Sequence, residues 1–204
     1  MFKRLMAGAA IAVLACSAAT SLRAQEVSQA DKDRAIQYLE KTKQGVIDAT
    51  KGLSDAQWNF KAGPDRWSIA QCTEHIAAAE DYIRGIVVEK VMAAPAVPGR
   101  DLKKTDDAVV AIIPDRSQKA QAPEPLVPTN RFGSPDASLK HFLESREKTE
   151  DFLKTTTGLR DHAVDSPMGT KLDGYQFILL IAAHSERHTK QILEVKADPN
   201  YPKN

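Results

Sequence analysis

The sequence predicts an all-α protein, a four-helix bundle, and two observations carry that expectation. Four segments of about 22 residues place apolar side chains three and four positions apart, so each has one apolar face to bury. No segment alternates apolar and polar residues like a half-buried strand, and no internal repeat is visible. Helices with one apolar face each are satisfied by packing those faces around a shared core.

The first helix is expected from about Gln29 to Leu53, with Ala35, Tyr38, Leu39, Val46 and Ile47 on one face. Residues 54–67 are rich in turn formers, most clearly Gly63-Pro64-Asp65. The second helix starts at Ser68, where Ser-Ile-Ala-Gln is a capping box: the Ser68 hydroxyl caps and Gln71 reaches back. It runs to about Met92, before Ala-Pro-Ala-Val-Pro-Gly. A long connection over 94–134 follows, carrying Pro95, Pro98, Pro114, Pro123, Pro125 and Pro128, with room for a short helix from Lys104 to Ile113. Its length means that simple up-down-up-down order does not follow. Ser134-Pro135, a cap and then proline in the first turn, starts the third helix, which runs to about Thr156. Asp173 caps the fourth, Gly174 to Lys196, and Asp198-Pro199 ends it.

The bundle is expected to occupy residues 25–204. Before it, Lys3 and Arg4 precede an uncharged, Ala-rich run from Leu5 to Ala19, and Leu22-Arg23-Ala24 gives a small residue ahead of Gln25. This reads as a signal peptide over 1–24 and an exported, periplasmic or extracellular protein. The run is short for a membrane span, which needs about 20 residues. Val13-Leu14-Ala15-Cys16 is the rival reading, a lipoprotein box with Cys16 lipidated. Cleavage after Ala24 removes three of the 28 basic residues and none of the 27 acidic ones, leaving a net charge of −2. That balance gives no footprint for nucleic acid, and the mature chain has no transmembrane segment. Only Cys72 remains in the mature chain, so no internal disulfide is available.

His184 and His188 interrupt the apolar stripe of the fourth helix. Four positions apart, they lie about 40° apart around the axis, so both imidazoles can reach one ion. Gln191 continues the same face and is placed to hold a water or an orienting hydrogen bond. His75 interrupts the inward stripe of Cys72, Ala79 and Tyr82 on the second helix. Burying three unpartnered imidazoles costs several kcal/mol, and a shared metal removes that cost. Small Ala78, Ala79, Ala182 and Ala183 let the two backbones approach. Cys72, one turn before His75, is either a further ligand or a small buried thiol packing as an apolar group.

Trp67-Ser68-Ile69 and Glu74-His75-Ile76, followed far downstream by His184-x-x-x-His188-x-x-Gln191, resemble the DinB-like (DinB/YfiT-type) superfamily. The resemblance spans about residues 30–196. It implies a four-helix bundle in which His75, His184 and His188 hold a divalent metal, with Zn, Ni, Cu or Fe compatible with nitrogen ligands. It also implies a metal-dependent enzyme acting on a small molecule, a hydrolase or a thiol S-transferase. The alternative is a non-catalytic, stress-related module that binds metal or a small ligand. The thiols used by transferases of this superfamily are cytosolic, so export weighs against thiol transfer. A homodimer is compatible with the sequence.

The remaining candidates have plainer readings. His141 and His162 read as surface or capping residues, Glu74, Glu80 and Glu186 as solvated, and Trp58 and Trp67 as core. Arg116, Lys119 and Arg131 would serve an anionic substrate if the connection folds over the metal. Mass spectrometry of the exported protein should find a chain beginning near Gln25. A lipid on Cys16 would move the cleavage site, and a retained Met1 form would overturn export.

Overall fold

The four long helices form, and three of them start at the capping residues that the sequence marks. The computed structural model describes residues 26–203. The expected signal peptide over 1–24 and Cys16 lie outside the described residues. Helix α1 is Gln29–Thr50. It ends short of the expected Leu53 because Lys51-Gly52 turns the chain, Gly52 taking the left-handed conformation at φ +67°. A short helix α2, Asp55–Asn59, interrupts the expected turn region, started by a Ser54–Gln57 capping box like the one at Ser68. Helix α3 is Ile69–Ile86 with both halves of the Ser68–Gln71 box made. It continues into a π-helical turn, Val87–Val91, where Met92 N donates to Val87 O at 3.0 Å.

The connection contains helix α4, Leu102–Ile112, and a 3-10 turn at Glu124–Leu126. Helix α5 is Pro135–Thr155, its first turn closed by the Ser134 hydroxyl. The absence of strands is corrected in one place. Strands β1, Ala163–Asp165, and β2, Lys171–Asp173, pair antiparallel. Three residues per strand are too few to show an alternation. Helix α6, Gly174–Lys196, is capped by Asp173 with Gln176 reaching back. A β-carbon at Gly174 would meet Leu159 Cδ2 at 2.7 Å and Leu159 O at 3.1 Å, so glycine is what lets α6 begin this close to the preceding loop.

Cross-helix contacts fix the topology. Asp31, Tyr38 and Ala49 of α1 meet Tyr175, Glu186 and Lys196 of α6 in that order, so α1 and α6 run parallel. Asp81 and Arg84 of α3 meet His141 and Thr149 of α5, so that pair is parallel too. Helices α1 and α5 are antiparallel, Lys32 reaching Lys154 O and Leu39 O receiving Arg146. The order is therefore up-down-down-up. Because α3 and α5 point the same way, the chain between them must travel back along the bundle, and this accounts for the length of the connection. Among the described residues no helix is long and apolar enough to cross a membrane.

A guanidinium lies at the centre. Arg146 of α5 is 0% exposed and pairs with Glu80 of α3, 1% exposed, through Nε and Nη2 at 2.8 and 2.9 Å. Its remaining N–H groups donate to Leu39 O and Thr42 Oγ1 of α1 and to Ser185 Oγ of α6. All five donors are used, and all four long helices are tied. The reading of Glu80 as solvated is thereby corrected. Removing one partner of such a pair leaves a buried charge, at a cost of about 3–5 kcal/mol. Arg146→Ala should lose about that much in urea unfolding, and a loss below about 1 kcal/mol would contradict the central tie.

Candidate metal centre

His184 and His188 enter the interior because α6 is apolar on nearly every face from Tyr175 to Ala183 and then narrows to one inward stripe. His75, in the second turn of α3, faces them from the antiparallel helix. The ring centroids are 4.4 Å apart for His184–His188 and for His75–His188, and 4.9 Å for His75–His184. One potential ligand atom from each residue lies within 4.8 Å of the other two. His75 Nε2 and His184 Nε2 are 3.0 Å apart. A tetrahedral ion with bonds of about 2.0–2.1 Å holds its nitrogens about 3.3 Å apart, so this pair already has the spacing of co-ligands.

The outer nitrogens decide which face each ring offers. His75 Nδ1 is 2.8 Å from Leu126 O, a carbonyl that only accepts, so Nδ1 carries the proton and Nε2 keeps its lone pair. His188 Nδ1 is 2.8 Å from Gln191 Oε1, with the same consequence. Burial of His75 and His188, and of much of the His184 ring, disfavours the imidazolium. It holds His75 below the ordinary 6.5, and His184 and His188 well below it, the neighbouring imidazoles adding to the effect at the latter two. At neutral pH the three rings are uncharged, the state in which an imidazole can ligate a metal. This donor set fits a borderline divalent ion; at 3.0 Å the two Nε2 atoms share either a proton, His184 donating to His75, or a cation that takes the proton's place.

Cys72 does not join them. It is fully buried in an apolar cluster with Ile69, Ile76 and Phe142, and burial pushes its thiol up to about 12. Trp67, read as core, packs half-buried against that apolar cluster and also borders the histidines, its ring 4.8 Å from that of His75 and stacked at 25° to that of His188. The signal for this was its place directly before the Ser68 cap, which sets it at the end of α3 beside His75. Trp58 is in the core as expected.

The connection folds over this end of the bundle. Arg187 donates to Asp115 O and Gln118 O, and Lys190 to Pro114 O. Glu74 is buried, contrary to its reading as solvated. Its carboxylate accepts from Thr129 N, Asn130 N and Arg131 N at 2.8–3.1 Å. Burial raises its pKa, but these amides and the Arg131 guanidinium outweigh that and hold it below the usual carboxylate range. Arg131 is thus committed to Glu74, and Arg116 makes a bidentate pair with Glu194 at 2.6 and 2.8 Å. Lys119 is exposed. Glu186 is half-buried and bonded to Tyr38 and Lys190. His141 pairs with Asp81 at 2.6 Å on the α3–α5 surface, and His162 is half-buried in the loop before β1.

An up-down-down-up helical bundle with three inward histidines converging from two antiparallel helices is the class of fold and candidate metal centre that the chain presents. The chain belongs to the DinB superfamily, whose sequence model matches residues 31–192. It is 27% identical over 155 residues to the uncharacterized protein YuaE of Bacillus subtilis (strain 168), covering 72% of this chain and 87% of that one. Among solved structures it is similar in fold to YfiT from Bacillus subtilis, with a TM-score of 0.54 and 18% identity, covering 87% of this chain and 93% of that one. YfiT is described as "a probable metal-dependent hydrolase with an unusual four-helix bundle topology".

Proposed function

We propose that the protein is an exported, metal-dependent enzyme of the hydrolase type that acts on a small molecule. A divalent ion, Zn, Ni or Fe, is held by His75, His184 and His188. The observation that carries this reading is the convergence of three neutral imidazoles while Cys72 stays outside the cluster. Structural zinc sites are closed by four protein ligands, whereas three ligands leave a position for substrate or water. The description of YfiT as a probable metal-dependent hydrolase supports the same chemistry.

When bound, the ion supplies Lewis-acid polarisation of a substrate oxygen. The protein supplies the rest. Leu126 O and Gln191 orient two of the rings, and the 113–131 connection limits water at the outer face. Trp67 gives an apolar wall, and the half-buried edge of His184 is the side from which a small molecule approaches. Export favours hydrolysis over transfer of a cytosolic thiol. The second reading, a non-catalytic binding module, draws on the commitment of Glu74 and Glu186 to other partners, which leaves neither as a free base.

Metal analysis of the purified protein should find one divalent ion per chain, and an ester and thiol-conjugation screen separates the two readings. Replacing His75, His184 or His188 with Ala should reduce affinity by well over tenfold, while His141→Ala leaves it unchanged. Ligation needs neutral imidazole, and the folded pKa values lie below 6.5. Affinity should therefore hold from pH 7.5 to about 6.5 and decline only below that, as protons begin to compete. A protein that binds no divalent ion at pH 7.5, or a His75→Ala variant that binds as well as wild type, would refute the site.

A further inference from the structure

We infer that Arg116, in the long connection, is a positioning residue that fixes the tautomer of the ligand His188 through Gln191; the inference rests on the three-histidine reading above. His75 and His188 are oriented by partners of different kinds. The partner of His75 is a backbone carbonyl, which has no other face to offer. The partner of His188 is a side-chain amide, which has two. With Oε1 toward Nδ1, the imidazole carries its proton on Nδ1 and presents the Nε2 lone pair to the centre. With the amide turned over, its NH2 donates to Nδ1, the proton moves to Nε2, and the ring cannot ligate through that atom. Either orientation makes one hydrogen bond to the ring, so the histidine alone does not choose between them.

Arg116 makes the choice. Its Nη1 lies 3.3 Å from the same Gln191 Oε1 that receives His188 Nδ1. A guanidinium only donates, so a turned amide would set NH2 against N–H. Arg116 is itself held by the two-point pair with Glu194, one turn of α6 beyond Gln191. The connection therefore sets the tautomer of His188 through Arg116, as it sets that of His75 through Leu126 O. A carboxylate at position 191 has two accepting oxygens and needs no such arbiter.

The test is a double-mutant comparison of zinc affinity, by chelator competition at pH 7.5, in the purified protein. Arg116→Ala should weaken zinc binding about tenfold or more. In the Gln191→Glu background the same change should cost no more than about twofold. A role confined to anchoring the connection predicts equal losses in both backgrounds, and that result would overturn the inference, as would no loss in either. Nitrogen-15 NMR of His188 in the metal-free protein gives a readout that does not depend on metal. Wild type should be the Nδ1–H tautomer and Arg116→Ala a mixture. If wild type binds no zinc, the metal reading fails, and the tautomer decides here: a mixture after Arg116→Ala supports the inference, and an unchanged tautomer overturns it. Helical circular dichroism confirms folding of each variant, and Arg116→Met, which keeps the stem, replaces an alanine variant that does not fold.

Discussion

Arg146 holds a charge where no water reaches it, and the arrangement of the four long helices follows from how that charge is satisfied. Every N–H of the guanidinium has an acceptor, and those acceptors come from α1, α3 and α6, with Arg146 itself on α5. A buried pair of this kind gains little net stability over apolar packing, because desolvation opposes the Coulomb attraction. What it gives here is register: a slide of any one helix by a turn would strand a buried donor or carboxylate. Ser185 adjoins His184, and Glu80 lies little more than one turn beyond His75. The tie therefore sets the two histidine-bearing helices at the height where their imidazoles meet.

The same topology makes the long connection unavoidable and gives it work. Parallel α3 and α5 require the chain to return along the bundle, and the return path crosses the histidine end. A second buried network fastens its beginning: Arg160 pairs with Asp106 of α4 at 2.7 and 2.8 Å, and Arg100 and Arg160 both reach Asp173, the cap of α6. Further along, Leu126 O orients His75, and the amides of 129–131 close around Glu74. A segment rich in proline gives up backbone donors of its own, and its remaining polar groups are used largely on α3 and α6.

Local signals were legible in the sequence and distant ones were not. Ser68, Ser134 and Asp173 mark helix starts because a cap and its partner lie within one turn. His75, His184 and His188 stood out because polar rings on an apolar stripe need a reason to be there. Glu80 looked solvated because its partner is 66 positions away, and nothing near it in the chain announces Arg146. Glu74 misled for the same reason, its partners lying 55–57 positions on. The Ser54–Gln57 box was present and readable, but the turn formers around it masked so short a helix. Arg116 was singled out as a cation for a substrate, and the fold spends it on Glu194 and Gln191 instead.

Tie, connection and orienting bonds all lead to the three histidines, and X-ray absorption at the metal edge of the zinc-loaded protein reads the proposed coordination sphere directly. Three imidazole nitrogens at about 2.0–2.1 Å are expected, with any further scatterer an oxygen. A sulfur at about 2.3 Å would place Cys72 in the sphere and close the site, and a spectrum without imidazole scattering would contradict the three-histidine centre altogether.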